Sequence, residues 1–271
     1  MSIGVLADTQ PATAIALLAA GLGLLGLLNL GMTRRLPRPV PPSPMLGYAV
    51  LAALSAWLLS QLVLVMLFVN GPPGNASPTP MESATIALLA PIAGLAAGLT
   101  ALRRTRLPRE IGITFIPTWR EAGVALSMAA VAIPATYAVG HVSEHLWRAI
   151  RHQEPSRHVL LQAMDGHGHV LVAVMVTVAA VVLAPLFEEL LFRGLLQSVL
   201  HRYTGRAWLA IAVSGALFAV IHPTWTIPAI FTLSVGLGLS YAWTGNLWVP
   251  IAIHALFNGL SVARVWMEPS S

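Results

Sequence analysis

The sequence predicts an all-α fold: a polytopic membrane helix bundle of about eight transmembrane helices. Three observations predict it. Only 9% of the 271 residues are charged, against about 25% in a soluble domain. Hydrophobic residues make up 56% of the chain and the mean hydropathy is +0.76. The apolar residues also gather into long uncharged stretches rather than spreading evenly. This composition excludes an ordinary soluble globular protein and a disordered chain. There is no cysteine and no lysine, so disulfides, thiolate metal sites, cysteine nucleophiles and lysine chemistry are excluded as well.

A helix needs roughly 20 residues to cross an apolar layer about 30 Å thick. The first stretch of that kind is Ala12 to Met32. No basic residue precedes it, so it is expected to be a retained span rather than a signal peptide. A connector from Arg34 to Pro44 with five prolines follows; it is stiff. The second span is Met45 to Val69. Thr85 to Leu102, Ala122 to Val139 and Val170 to Phe187 are the third, fourth and fifth. The fifth continues as helix to about His201, with a kink expected at Pro185.

Between Arg206 and Arg264 lie 57 residues without a formal charge. One helix of that length would run about 85 Å, so the stretch must fold back. His222 to Pro228 and Thr244 to Asn246 are the natural breaks. They leave spans at Ala207 to Ile221, Ile227 to Trp243 and Leu247 to Ala263. The expected organisation is an N-terminal part, 1–169, with about four spans and an exterior His-rich loop over 141–169, followed by a core over 170–265.

The net charge of +5 suggests nucleic acid until the arginines are placed. Apart from Arg193, ten fall in alternate short loops and at their edges: Arg34, Arg35, Arg38, Arg103, Arg104, Arg106, Arg109, Arg120, Arg202 and Arg206. Four fall on the other side. By the bias of arginine toward cytoplasmic loops, these ten mark the inside and both termini lie outside. The excess charge is therefore membrane orientation, and the partner is the lipid bilayer, with no nucleic acid. No internal repeat is evident.

Ionisable residues inside an apolar span are costly and mark function. One segment carries three: Glu188, Glu189 and Arg193. Glu189 and Arg193 stand four apart, on one helix face and within ion-pair reach. Glu188 is rotated about 100° from Glu189, which leaves an acid without a partner in its own helix, in a low-dielectric place. That suits a general base or a metal ligand. The charge-free stretch adds His222 at the end of Phe218-x-x-x-His222, and His254 with Asn258 four residues later. Polar groups on three apolar helices without solvent are cheapest to bury against one another. Of the other histidines, His201 is interfacial; His141, His145, His152, His158, His167 and His169 are expected in the exterior loop, solvated rather than metal-binding.

The ordered set Glu188-Glu189-x-x-x-Arg193-Gly194, Phe218-x-x-x-His222 and His254-x-x-x-Asn258, the last preceded by Trp248-Val249-Pro250, resembles one family. It is similar to the CPBP intramembrane proteases: the type II CAAX prenyl endopeptidases and the bacterial bacteriocin-processing and self-immunity proteins related to them. The resemblance covers about Val170 to Ala263, and its motif spacing suits the bacterial branch. It implies endopeptidase cleavage of a peptide or membrane-protein substrate, in or near the bilayer of a bacterial cytoplasmic membrane. Glu188 would activate the attacking water, assisted by His222. His254 and Asn258 would stabilise the oxyanion. Glu189, Arg193 and Phe218 would support the geometry. No cofactor is the expectation; the alternative is a zinc enzyme with Glu188, His222 and His254 as ligands.

Other protease types fit badly. There is no H-E-x-x-H, no aspartate in any span, and no G-x-S-x-G around Ser214 or Ser261. A transporter or a non-catalytic immunity scaffold are the competing classes. One tension is internal to the reading. Simple spans put His222 and His254 roughly 10 Å apart in depth, unless the short sixth span and a sunken Pro223 to Pro228 turn bring them together.

Overall fold

The computed structural model describes residues 44–68, 79–103, 109, 111–113, 116–152, 154 and 170–267. The expected first span at Ala12 to Met32, most of the proline-rich connector, and His158, His167 and His169 lie outside them. The described residues form helices and connecting turns, with no strand among them. In chain order the helices are α1 Pro44–Phe68, α2 Pro80–Leu102, α3 Trp119–Arg151, α4 Val170–Thr204, α5 Ala207–Val220, α6 Ile227–Thr244 and α7 Trp248–Met267. Six of these are long and apolar enough to cross a membrane, and α5, at 14 residues, is the short one.

Helices α2 and α3 begin earlier than their apolar stretches. In each, a threonine caps the helix and a glutamate three residues on closes the box. Thr79 Oγ1 accepts from Glu82 N at 3.3 Å while Glu82 Oε2 accepts from Thr79 N at 2.7 Å. Thr118 and Glu121 repeat the arrangement at the same distances. The reciprocal bonds satisfy two N–H groups that a helix start leaves orphaned. Helix α3 also runs past its expected end at Val139 to Arg151, where His152 closes it in a left-handed conformation. His141 and His145, expected in the exterior loop, therefore lie on the last turns of α3. An ion-pair ladder helps to carry the helix there: Arg148 reaches Glu144 at 2.8 Å and Glu154 at 3.0 Å.

Two apolar clusters hold the bundle. In the first, Leu46 and Ala53 of α1, Leu102 of α2 and Phe187, Leu190 and Leu195 of α4 pack with Phe218, Tyr241 and Leu247. In the second, Met128 and Ala132 of α3 pack with Leu233 and Leu237 of α6 and Ile253 of α7. Small residues allow the close approaches, as is usual where lipid offers no competing hydrophobic drive. The Phe187 ring lies where a side chain at Gly94 would have to go. The outward faces stay apolar, with Leu58, Leu62 and Met66 of α1 exposed; these are faces for hydrocarbon.

Residues 111–113, between α2 and α3, strap the turn between α6 and α7. Ile111 is fully buried. Its carbonyl accepts from Tyr241 Oη at 3.2 Å, and the Ile113 carbonyl accepts from Trp248 Nε1 at 3.1 Å. Asn246 Nδ2 donates to Glu121 Oε1 at 3.3 Å. Gly112 makes the strap fit. Its φ is +74°, and a Cβ there would run into the carbonyl oxygen of Gly245. Gly245 has φ +64° but open space around it. The two therefore separate backbone strain from close contact. Gly245→Ala is expected to cost the strain alone, about 1–2 kcal/mol. Gly112→Ala adds a collision with backbone and should lower the melting temperature in detergent by clearly more. Equal losses would contradict the strap.

Candidate functional site

The site is built where α4, α5, α6 and α7 meet, and α4 is not a regular helix there. It is π-helical over Ala179–Leu183 and again over Leu190–Gln197, with one short α segment, Ala184–Glu189, between. The two glutamates end that segment. π turns inside α-helices recur at functional sites because they re-aim side chains. Pro185 follows the first of them closely.

The two neighbouring acids have different surroundings. Glu189 is fully buried; Glu188 keeps 21% of its side chain exposed. Arg193 Nη1 donates to Glu189 Oε1 at 2.8 Å, as the four-residue spacing predicts. Arg193 is buried too, and its other arm is taken by α6. Its Nη2 donates to Ser234 Oγ at 2.5 Å and to the Ser234 carbonyl at 3.2 Å. The guanidinium carbon lies 4.7 Å from the centre of the Phe218 ring, a cation–π contact that is strong when desolvated.

His254 meets both acids. Its Nδ1 is 2.8 Å from Glu189 Oε1 and its Nε2 is 3.7 Å from Glu188 Oε2. A carboxylate only accepts, so the Nδ1–H donates to Glu189, which fixes the orientation of the ring. The 3.7 Å separation is within ion-pair reach but beyond a hydrogen bond. A continuous chain of contacts thus runs Ser234, Arg193, Glu189, His254, Glu188, across α6, α4 and α7.

Phe218 and His222 complete the group. His222 Nδ1 donates to the Phe218 carbonyl at 2.8 Å, so the ring acts through Nε2. The Phe218 ring centre is 4.8 Å from that of His222 and 5.7 Å from that of His254. Both histidines therefore contact the same phenylalanine. Helix α5 is short, a 3₁₀ turn over Thr224–Thr226 follows, and Ser143 of α3 donates to the Trp225 carbonyl over it. The turn is half-buried rather than sunk.

Asn258 lies one turn beyond His254 on α7. Its Nδ2 donates to the Ala180 carbonyl at 2.8 Å, in the first π turn. Among the described residues no three His, Asp or Glu side chains gather as a metal-ligand set.

Sequence reasoning missed Ser234, the π turns and the Glu189–His254 contact. Ser234 had a signal, a hydroxyl in an apolar span opposite a buried arginine. The His254 contact had none, because it depends on how α7 crosses α4.

The fold and site define a class: a multi-pass helical membrane protein with a carboxylate–imidazole centre inside its bundle. Residues 170–260 match the family model described as Type II CAAX prenyl endopeptidase Rce1-like. That segment, about a third of the chain, carries the similarity to this family. The chain is 34% identical over 82 residues to the Uncharacterized protein YpbD of Bacillus subtilis (strain 168), a match covering 30% of this chain and 41% of that protein. It is 33% identical over 96 residues to the Membrane-embedded CAAX protease MroQ of Staphylococcus aureus (strain USA300), covering 33% of this chain and 39% of that one. The chain thus matches about two fifths of the length of these curated relatives. No solved structure matches it.

The Arg193 contacts can be tested as a unit. Removing one partner of a buried ion pair costs about 3–5 kcal/mol, which is the loss expected of Arg193→Met in detergent unfolding. Ser234→Ala should cost about 1–3 kcal/mol. Combining the two should add little to Arg193→Met alone, because the same hydrogen bonds are removed. Additive losses would show that Ser234 stabilises something other than Arg193.

Proposed function

We propose that this chain is an intramembrane endopeptidase in which Glu188 is the general base that activates water. The observation that carries the reading is the division between the two glutamates. The buried Glu189 is committed to Arg193 and His254, whereas Glu188 keeps exposure and faces the other nitrogen of the same imidazole. One acid is held still and its neighbour is left able to react. The family match and the name of the Staphylococcus relative support the same reading.

In the proposed reaction Glu188 removes a proton from water as the oxygen attacks the scissile carbonyl carbon. The proton then passes to the amine as the C–N bond breaks. General base catalysis of this kind contributes about 10²–10⁴-fold. His254 meets the developing oxyanion through Nε2. With its Nδ1–H held by Glu189, the ring donates from Nε2 as the imidazolium, a charge that Glu188 and Glu189 flank. His222, oriented through its own Nδ1, assists Glu188 in activating the water. A preorganised donor at the oxyanion is worth about 3–4 kcal/mol. The proposal routes no step through a metal ion.

The substrate class we propose is a peptide or a membrane-protein segment reaching the centre from the bilayer. The membrane we propose is a bacterial cytoplasmic one, with both termini outside. The arginine distribution and the bacterial sources of both relatives support this.

Comparing the proteomes of cells carrying wild type and Glu188→Ala tests the proposal. Substrates are expected to accumulate uncut in the variant, with cleavage lowered about a hundredfold or more. Identical proteomes would favour a scaffold or a transporter. Processing of an accumulated substrate by a verified metal-free preparation should match that of untreated protein; activity that returns only on adding zinc would overturn the metal-independent step.

A further inference from the structure

Tryptophans mark the two ends of the bundle. Trp119 opens α3, Trp208 lies at the start of α5, Trp243 at the end of α6 and Trp248 opens α7, all at one end; Trp225, in the turn before α6, and Trp266, at the end of α7, stand at the other. Membrane proteins carry such aromatic belts where the hydrocarbon layer meets the headgroups. Trp248 and Trp266 are 18 residues apart on α7, about 27 Å, which matches a hydrocarbon layer about 30 Å thick.

Helix α3 is tied to both ends of α6 and then runs on. Asn246, just after α6, donates to Glu121, and Ser143 donates to the carbonyl of Trp225, just before α6. Glu121 and Ser143 are 22 residues apart on α3, about 33 Å, so the apolar layer is already crossed at Ser143. The eight residues from there to Arg151 add about 12 Å, against a headgroup layer about 5–7 Å thick.

This extension has two unlike sides. At 100° per residue, Val142, Ser143, Leu146, Trp147 and Ile150 share one side, and His141, Glu144, His145, Arg148 and Arg151 the other. Ser143 and Trp147 are half-buried, but Val142, Leu146 and Ile150 are 60%, 55% and 72% exposed. In steps of four they continue an exposed row that begins at Ala138, within the span. Facing water, three large apolar side chains would be costly. An apolar row with tryptophan and arginine on the flanks is the pattern of a helix that lies in the headgroup region. The charges of the extension balance: Glu144 and Glu154 hold Arg148, and Arg151 lies 5.4 Å over the Trp147 ring. Such a face fits a zwitterionic headgroup layer and needs no anionic lipid.

We propose that residues 140–151 are an interfacial anchor: Val142, Leu146 and Ile150 seat in the phospholipid headgroup layer, and Ser143 holds the turn after His222 at the same depth. The placement does not depend on the proposed reaction.

The chain has no cysteine, so single cysteines can carry nitroxide labels in the full-length protein. Val142→Cys, Leu146→Cys, Ile150→Cys, His145→Cys and Thr224→Cys each replace an exposed side chain, so the labels displace no packing. In phosphatidylcholine vesicles, depth is read from collisions with oxygen, which enters lipid, against a nickel chelate, which stays in water. Labels of the apolar row are expected about 5–10 Å deeper than the His145 label. The Thr224 label is expected in the same layer, within about 5–7 Å of the row in depth. Adding phosphatidylglycerol should leave these depths unchanged. A row as shallow as His145 would put the extension in water and overturn the proposal. Labels shielded from both colliders would show a protein cover, another segment of this chain or a second copy, and would overturn it too. So would a row that reaches the layer only with phosphatidylglycerol, or a Thr224 label outside the layer.

Discussion

The buried ion pair between Glu189 and Arg193 is the constraint on which the rest of the structure turns. Two charges inside an apolar bundle are costly unless paired and hydrogen-bonded. Arg193 is held by Ser234 from α6 and lies over Phe218 from α5; Glu189 takes both Arg193 and His254 from α7 on Oε1, while its Oε2 is buried without a hydrogen-bond partner among the described residues. One pair on α4 thereby specifies the position of three other helices. Losing a contact would strand a charge, so the arrangement is all-or-none in character. The same pairing leaves Glu188, one residue away, at the partly exposed end of the network.

Two further ties fix the helix that carries His254. At its start, the 111–113 strap holds the turn before Trp248 through Tyr241, Trp248 and the Gly112–Gly245 contact. Farther along, Asn258 holds the first π turn of α4. His254 lies between these points. An imidazole between two carboxylates must be held against rotation and sliding, and α7 is pinned on both sides of it.

Much of this was legible in the sequence because a membrane simplifies the reading. An uncharged stretch must be helical and must stop where charge, proline or glycine allows, and the ranges of α5, α6 and α7 follow from that rule within a few residues. The starts of α2 and α3 were encoded as well, in Thr79-x-x-Glu82 and Thr118-x-x-Glu121, but hydropathy does not register a capping box. At the site, helical spacing separated Glu188 from Glu189 and paired Glu189 with Arg193. It could not show that His254 bridges the two acids, or that Asn258 turns toward a backbone carbonyl. Both depend on the π turns, which shift the register of α4 away from 3.6 residues per turn. Pro185 was visible as a kink; the π turns on either side of its segment were not.

The central claim is that two adjacent glutamates divide structure from chemistry. Its most direct test is to compare Glu188→Gln with Glu189→Gln, each nearly isosteric, for melting temperature in detergent and for processing in the same cells. The account predicts that Glu188→Gln keeps the melting temperature of the wild type and abolishes processing, while Glu189→Gln loses both. A Glu189→Gln protein that is fully stable, or a Glu188→Gln protein that still processes its substrates, would contradict it.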